Sequence, residues 1–165
     1  MANLIRTQYL QDTNKRLLAK IVIISDGTNQ ANTMVIDAST LRFAMNANNY
    51  LMVSNVHPKS VYRTSIKRIY GNFKSSAGVI RLQWEGTSNS EIVAFGSGQF
   101  DFNFEASGDS AVLINPEASP TGDILITTTG LAANDAATVF IDLRKDNNDY
   151  DAGKFQDPAA FNNLR

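Results

Sequence analysis

The sequence predicts an all-β fold: an antiparallel β-sandwich, a jelly roll or a closed barrel, with extended N- and C-terminal arms. Short stretches of alternating or β-branched apolar residues recur along the chain, turn signals separate them, and no segment has a convincing helical period. The 165 residues, 43% hydrophobic and 19% charged, have the size and composition of one globular domain. We divide the chain into an N-terminal arm (1–14), a single β domain (15–146) and a C-terminal tail (147–165).

The clearest strand is the stretch GVIRLQWEG at residues 78–86. Three apolar residues, including the only tryptophan, alternate in it with polar ones. A period of two residues is the signature of a strand with one buried and one solvated face. We therefore expect Ile80, Leu82 and Trp84 to lie in the core.

Two longer runs of the same kind, residues 60–73 and 90–105, lie on either side of this strand. Because the connections are short, all three segments are predicted to pair as an antiparallel meander. Within the first run Ile66 and Ile69 are three residues apart, which indicates a β-bulge near Lys67 and Arg68.

The other strands follow from the same patterns. Residues 15–26, KRLLAKIVIISD, are β-branched at their centre and apolar on both faces, which predicts a strand buried from two sides. The alternating Phe100, Phe102 and Phe104 predict a strand that faces the core. The connector 131–136 is compatible with one helical turn. Shorter strands are predicted at residues 34–37, 41–45, 50–53, 91–95, 111–114, 122–130 and 137–145.

Both ends of the chain have the character of arms. Apolar residues without a settled period lie between polar ones in residues 1–14 and again after residue 146. Segments that become ordered on contact can cover large surfaces. We predict that the apolar residues of both arms bind partner proteins: Leu4, Ile5, Tyr9, Leu10, Phe155, Phe161 and Leu164.

The formal net charge of −1 hides a division along the chain. Residues 1–84 carry a net charge of +8, and residues 85–165 a net charge of −9. Early and late strands can neutralise one another within the fold, since opposite charges on adjacent strands are mildly stabilising. Alternatively, the molecule has a basic and an acidic patch, suited to contacts between subunits.

No cluster of residues specifies a reaction. The absence of cysteine excludes disulfides, thiolate metal ligands and cysteine nucleophiles. The single histidine, His57, precedes a proline and has no nucleophile motif nearby. The basic first half lacks the Lys/Arg density and interleaved aromatic residues of a nucleic-acid platform. We therefore expect a protein that is not an enzyme, needs no cofactor and does not bind nucleic acid.

The N-terminal sequence lacks the basic start and apolar run of a secretory signal. The longest apolar stretch, residues 21–24, is far too short to span a bilayer. We expect a protein that is made in the cytoplasm and does not bind membranes.

The sequence offers candidates for a metal site, a catalytic carboxylate pair and a sugar groove, each of which also has a simpler structural explanation. The acid-rich run Asp142, Asp146, Asp149 and Asp151 is the best metal candidate, but it lacks a third oxygen ligand and the distal glutamate of a calcium loop. A solvated turn is favoured, and no metal site is expected.

A carboxylate pair for glycoside hydrolysis could come from Glu85, Glu91, Asp101 and Glu105. A sugar groove could be lined by Tyr50, Tyr62, Tyr70 and Trp84, although core packing or a subunit interface is favoured.

Two stretches, FGSGQFDFNFEASGDSAV and TGDILITTTGLAANDAATVFIDLRKD, resemble small virion structural proteins of tailed bacteriophages, particularly marine and cyanobacterial ones. The resemblance implies a capsid decoration (cement) protein, present in the virion in many copies and without catalytic activity. Its partners would be the major capsid protein or other virion proteins, together with like subunits. The alternatives are a neck or tail component, or a carbohydrate-binding or receptor-binding β-sandwich module.

Overall fold

The structure, a computed structural model, describes residues 3–52, 57–105 and 112–154. This part of the chain forms ten strands and one short 3₁₀ helix, Ala38–Thr40. None of its helices has the length and apolar character needed to cross a membrane. The strands are β1 (Leu4–Asp12), β2 (Arg16–Asp26), β3 (Gln30–Ile36), β4 (Thr64–Lys74), β5 (Val79–Trp84), β6 (Ser90–Phe95), β7 (Gly98–Asn103), β8 (Leu113–Ile114), β9 (Ile124–Thr129) and β10 (Ala133–Lys145).

The strands form two antiparallel sheets that share one core. Sheet A has the strand order β1-β2-β10-β4-β7, and the short β8 also pairs with β4. Sheet B has the strand order β3-β9-β5-β6. Apolar side chains from both sheets form a single buried cluster. The predicted all-β class is therefore confirmed, with the sandwich as its form.

Strand β2 lies near the centre of sheet A and shows the alternation that a half-buried strand requires. Leu17, Ala19, Ile21 and Ile23 are buried in the core, while the residues between them point to the other face. The strand predicted at residues 15–26 is confirmed, but its burial from two sides is wrong. Ile24 on the outer face is 42% exposed.

Strand β5 has the predicted buried face. Ile80 and Leu82 are fully buried and Trp84 is 1% exposed, whereas Arg81 on the opposite face is exposed. The indole N–H of Trp84 has no hydrogen-bond partner among the described residues. The tryptophan is therefore a core residue of sheet B.

The predicted meander of residues 60–105 is wrong. Strand β4 pairs with β10 and β7 in sheet A, whereas β5 pairs with β6 and β9 in sheet B. Only the β5–β6 hairpin of the expected meander forms. A short connection can cross from one sheet of a sandwich to the other as readily as it can close a hairpin, so connection length does not identify the partner strand.

The β-bulge predicted in β4 is confirmed. Arg68 lies opposite Asp142 and Ile66 lies opposite Leu143, so Lys67 is the extra residue. Because of this insertion, Ile66 and Ile69 are both fully buried although they are three residues apart.

Three smaller predictions are wrong. Residues 41–45 and 50–52 form only isolated bridges, such as Met45 with Leu51, in place of strands. The connector 131–136 contains no helical turn, because β10 begins at Ala133. These segments lie at loops, where pairing depends on neighbours that are distant in sequence.

The N-terminal arm is not a separate segment in the structure. Residues 4–12 form β1, which pairs with β2 from Leu4 to Asp12. Asp12 also forms an ion pair with the buried Lys145, and its other oxygen accepts a hydrogen bond from the Arg42 amide at 2.9 Å. The boundary placed after residue 14 is therefore wrong, since strand pairing and a buried charge join this segment to the body.

The tail boundary at residue 147 is also too early. The Tyr150 side chain is fully buried, and its hydroxyl donates to the Ala38 carbonyl at 2.7 Å. Its ring lies 5.7 Å from the Tyr62 ring and 4.8 Å from the Lys145 ammonium. The body therefore continues at least to Tyr150.

Candidate interaction surfaces

The outer face of sheet A is built by side chains from strands that are distant in sequence. Because β2 and β10 bury alternate residues, the intervening residues point outward. The strand register places them in five rows, and we name this surface the basic face. The rows are Leu4-Ile24-Ala136-Lys74, Arg6-Val22-Thr138-Asn72-Gln99, Gln8-Lys20-Phe140-Tyr70-Asp101, Gln11-Leu18-Asp142-Arg68-Asn103 and Arg16-Arg144-Ser65-Ile114.

Positive charge dominates the basic face. Arg16 holds Asp142 through two hydrogen bonds of 2.8 and 2.6 Å, and Arg68 holds Asp101 through two of 2.8 and 2.5 Å. These pairs neutralise both carboxylates of the face. Four cations have no ion-pair partner within the described part of the chain: Arg6, Lys20, Lys74 and Arg144.

An aromatic pair lies at the centre of the basic face. The rings of Tyr70 and Phe140 are stacked, with centroids 4.9 Å apart and planes inclined by 8°. The Arg68 guanidinium lies 4.8 Å from the centre of the Tyr70 ring. Such contacts are favourable and fix the ring positions. With the neighbouring Val22 and Ile24, they give the face apolar area among its charges.

A groove of about 600 Å³ adjoins the Arg144 end of the basic face. Arg63, Arg144 and Asp146 line it together with Ile114, which is 69% exposed. Arg63 lies 3.7 Å from Asp146 and 3.0 Å from Asp149. Arg63 is therefore neutralised, whereas Arg144 belongs to the basic face, which the groove extends at this end.

Acidic residues gather at one end of sheet B. Ile36, Ile124, Trp84 and Ser90 form the last row of this sheet. We name the carboxyl residues that flank this row the acidic end; they are Asp37, Glu85, Glu91, Glu117 and Asp123. Within the described chain Arg81, 3.7 Å from Glu91, is the cation that forms an ion pair with them. This end of the molecule is therefore strongly acidic.

Asp123 is the buried member of the acidic end. It is 9% exposed, and its Oδ1 accepts a hydrogen bond from the Ala38 amide at 2.7 Å. Burial, together with the nearby Glu85 and Asp37 carboxyls, raises the pKa of Asp123 to about 7, against the lowering effect of the Ala38 bond. Asp123 therefore titrates near neutral pH.

Ion pairing accounts for much of the charge division along the chain. All eight ion pairs of the described residues join a residue from 1–84 to a residue from 85–165. The expectation that early and late segments neutralise one another is confirmed for these pairs. The charges that these pairs do not neutralise are unevenly distributed: cations remain on the basic face, and carboxyl groups remain at the acidic end.

The acid-rich run serves ion pairs within the body. Asp142 pairs with Arg16, and Asp149, which is 4% exposed, accepts from Lys59 at 3.2 Å and from Arg63 at 3.0 Å. The Asp151 carboxylate accepts a hydrogen bond from the Gly153 amide. No group of three or more His, Cys, Asp or Glu side chains in the described ranges is placed to hold a metal ion.

The carboxylates considered for glycoside hydrolysis are divided between the two sheets. Glu85 and Glu91 lie on the sheet B side, whereas Asp101 and Glu105 lie on the sheet A side. Asp101 is paired with Arg68, and Glu105 lies 2.6 Å from Lys67. A site that uses carboxylates from both groups is therefore wrong. His57 lies in an exposed loop with a φ of 51°.

The sugar groove considered for the four aromatic residues is also wrong. Tyr62 and Trp84 are core residues that are 2% and 1% exposed, and the Tyr62 hydroxyl donates to the Met45 carbonyl at 2.9 Å. Tyr50 lies in a loop, and Tyr70 lies on the basic face against Phe140. The alternative of core packing is confirmed for Tyr62 and Trp84.

The predicted contact residues of the N-terminal arm are divided by β1. Leu4 lies on the basic face, and Ile5 packs inward against the core. Tyr9 is 39% and Leu10 47% exposed, beside a register shift in the β1–β2 pairing. Ile5 therefore serves the fold, while Leu4, Tyr9 and Leu10 remain available to a partner. Phe155, Phe161 and Leu164 lie outside the described residues.

Sequence reasoning did not find the basic face. Its six cations come from four strands. Of the paired strands that carry them, β1 and β2 are adjacent in the sequence, whereas β2, β10 and β4 are not. A signal was present in β2, where Arg16 and Lys20 share one side of the alternation with Leu18 and Val22. That pattern predicts a solvated face that is both apolar and basic.

Comparisons with protein-family models, with curated proteins and with solved structures found no match to this chain.

Proposed function

We propose that this chain is a non-enzymatic structural subunit of a tailed-phage virion, and specifically a capsid decoration protein. The observation that carries the proposal is the basic face, where four cations without an ion-pair partner among the described residues surround half-exposed apolar side chains. A surface that combines apolar area with charge suits a protein partner more than a small molecule. The resemblance of two stretches to phage virion proteins supports the particle as the setting.

In this proposal the partner-binding role passes from a free N-terminal arm to β1 and the basic face. Leu4 belongs to the face, and Leu10 lies at the register shift of the edge strand β1. Tyr9, opposite Ala19, lies on the other side of this strand and is 39% exposed at the edge of the sandwich. An edge strand also offers unpaired backbone groups to a partner. Phe155, Phe161 and Leu164 remain predicted contacts of the C-terminal segment. The partners are the major capsid protein or other virion proteins, and neighbouring copies.

Copy number in natural particles tests the proposal. Quantitative mass spectrometry of phage particles purified from the natural host should find this chain in an amount comparable to the major capsid protein. A small fixed number per particle would assign it to the neck or tail instead. Absence from washed particles contradicts any virion role.

Binding to the shell tests the surface. Recombinant protein should bind particles from which the native copies have been stripped, and the double variant Arg6→Glu/Lys20→Glu should bind at least tenfold more weakly, because like charges across an interface are costly. The matched control is Lys15→Glu/Lys154→Glu, which changes the net charge equally at exposed positions outside the rows of the face. Equal loss of binding in both variants contradicts a role for the basic face.

A further inference from the structure

We propose that the basic face of one copy binds the acidic end of a second copy, in a head-to-tail contact. The inference rests on the proposed function and selects one of the partners named there: the neighbouring copy occupies the basic face, and the edge strand β1 is left to contact the shell. It adds a partner surface of defined chemistry on the same chain, the carboxyl cluster at the end of sheet B.

Charge complementarity is the first argument. The basic face has four cations without an ion-pair partner in the described chain, whereas the acidic end has five carboxyl groups and one paired cation, Arg81. Glu91 in that cluster has a side chain that is 53% exposed. Two surfaces of opposite sign on one chain attract between copies while the net charge stays at −1.

The placement of the surfaces determines the kind of assembly. The basic face belongs to sheet A and the acidic end to sheet B, so one contact uses two different surfaces. Each added copy then leaves one basic face and one acidic end free. Contacts of this type close into rings or continue as open chains.

The size of the face indicates the strength of the contact. Five strands about 4.8 Å apart and five rows about 6.6 Å apart give an area of about 19 by 26 Å, or about 500 Å². Stable complexes bury about 800 Å² on each partner. We therefore expect association that depends on concentration and salt, reinforced when copies are arrayed on a shell.

Nucleic acid is the competing occupant of a basic face, and three features disfavour it. Asp101 and Asp142 hold two of the six cations of the face, Arg68 and Arg16, which are therefore not free for phosphates. The Tyr70 ring is stacked on Phe140 and covered by the Arg68 guanidinium, which leaves it little free surface for a base. The chain as a whole is slightly acidic.

Sedimentation velocity of the full chain gives the first test. At about 50 mM salt the mean mass should rise with concentration, and about 500 mM salt should reverse the rise, because screening shortens the range of charge attraction. Arg6→Glu/Lys20→Glu and, separately, Glu85→Lys/Glu91→Lys should weaken association at least tenfold. Lys15→Glu/Lys154→Glu is the matched control and should associate like the wild type. Circular dichroism melts establish that each variant is folded.

Disulfide trapping tests the geometry of the contact between copies. Because the chain has no cysteine, each single-cysteine variant carries one thiol. Gln8→Cys places one thiol on the basic face, and Ser88→Cys places one in the exposed loop beside the acidic end. A mixture of the two variants under brief oxidation should give mixed dimers faster than either variant alone. Ala31→Cys, exposed on β3 at the end of sheet B opposite to the row of Ile36, is the control thiol.

Three results would overturn the inference. One is a wild-type protein that stays monomeric at low salt up to about 1 mM, the weak limit of specific association. Another is a trapping pattern in which Gln8→Cys pairs with itself as readily as with Ser88→Cys. The third is a monomer that binds a labelled single-stranded oligonucleotide with affinity lost in Arg6→Glu/Lys20→Glu. Abundance in particles is measured separately, so failure of the contact between copies does not decide the virion role.

Discussion

At the scale of single residues, Gly71 shows how closely β4 packs against its neighbours. A Cβ atom at this position would lie 2.0 Å from the Thr138 carbonyl oxygen and 3.0 Å from Cζ of Phe100. The oxygen belongs to the backbone of β10, so relief requires a shift of the sheet. We expect Gly71→Ala to lower the free energy of unfolding by about 1–3 kcal/mol, the range for overpacking, as measured by urea denaturation.

Gly96 supplies the matched control for this substitution. A Cβ atom there meets no atom within 4 Å, so Gly96→Ala should change the free energy of unfolding by less than about 0.5 kcal/mol. If the two variants unfold at the same urea concentration, the packing of β4 against β10 and β7 is not as tight as described.

Asp123 gives the protein a pH-dependent stability. Its pKa is raised from 3.8 to about 7 in the folded state, first by burial and then by the Glu85 carboxyl. Between about pH 4 and pH 7 the folded protein therefore binds a proton that the unfolded chain does not, and stability falls as the pH rises through this window. At about 1.4 kcal/mol per pKa unit, the loss is on the order of 4 kcal/mol at pH 8. Asp123→Asn should remove it, with wild type and variant compared by urea denaturation from pH 4 to pH 8.

Asp123→Asn must be compared with the wild type at each pH, because other carboxyl groups change the stability with pH in the opposite direction. The Arg68 guanidinium lowers the pKa of Asp101, so Asp101→Asn should lose its effect as the pH falls. Asp123→Asn should instead be more stable than wild type at pH 8 and close to it at pH 4. A difference that does not change with pH would contradict the burial of an ionisable carboxyl.

Residues of the core could be foreseen from the sequence, but Asp123 could not. The alternation in residues 78–86 identified Ile80, Leu82 and Trp84, because a period of two residues is a local property of a strand. Asp123 lies in the sequence SPTGD after two prolines, where the local pattern indicates an exposed turn. Its burial depends on Ala38 and Glu85, which loop closure brings together.

At the scale of elements, the pairing of β1 determines how removal of the N-terminal residues should affect stability. Its pairing with β2 covers an edge of sheet A, Ile5 packs on the core, and Asp12 pairs with the buried Lys145. Burial lowers the pKa of Lys145, and the Asp12 carboxylate opposes that effect. Removal of residues 1–12 leaves this charge without its partner, at a cost of at least about 3 kcal/mol. We expect the melting temperature to fall by more than about 10 °C.

Two further variants separate the contributions of the strand and of its charge. Removal of residues 1–2 alone should leave the melting temperature near that of the full chain. Asp12→Asn keeps the strand but removes its charge, and it should account for part of the loss. If the protein without residues 1–12 melts like the full chain and stays monomeric on gel filtration, the segment is an arm after all.

Local and non-local information separate clearly at this scale. The bulge at Lys67 follows from the spacing of Ile66 and Ile69, and the structure has it there. The meander failed because partner choice depends on the whole sandwich, and residues 75–78 connect the two sheets. β1 has the sequence character of an arm because it is an edge strand, in which few side chains are buried and the alternation is weak. Edge strands and the partners of each strand are therefore the features that are hardest to predict from a single sequence.

At the scale of the whole molecule, the order of strands binds the two sheets together. The chain enters sheet B at β3, returns to sheet A at β4, and crosses again at β5, β7, β9 and β10. Neither sheet is made from one continuous part of the sequence, and both contribute to one buried cluster. One sheet therefore cannot unfold while the other keeps its connections and its core.

This topology leads us to expect a single cooperative unfolding transition. Trp84, the only tryptophan, reports on sheet B by fluorescence, and far-UV circular dichroism reports on both sheets. Ile141→Val in the fully buried centre of β10 in sheet A should cost about 0.5–1.5 kcal/mol. If the sheets form one unit, the variant shifts the Trp84 fluorescence midpoint in urea as far as the circular dichroism midpoint, although residue 141 lies in the other sheet. A fluorescence transition that stays at the wild-type midpoint while the circular dichroism transition moves would mean that sheet B unfolds independently.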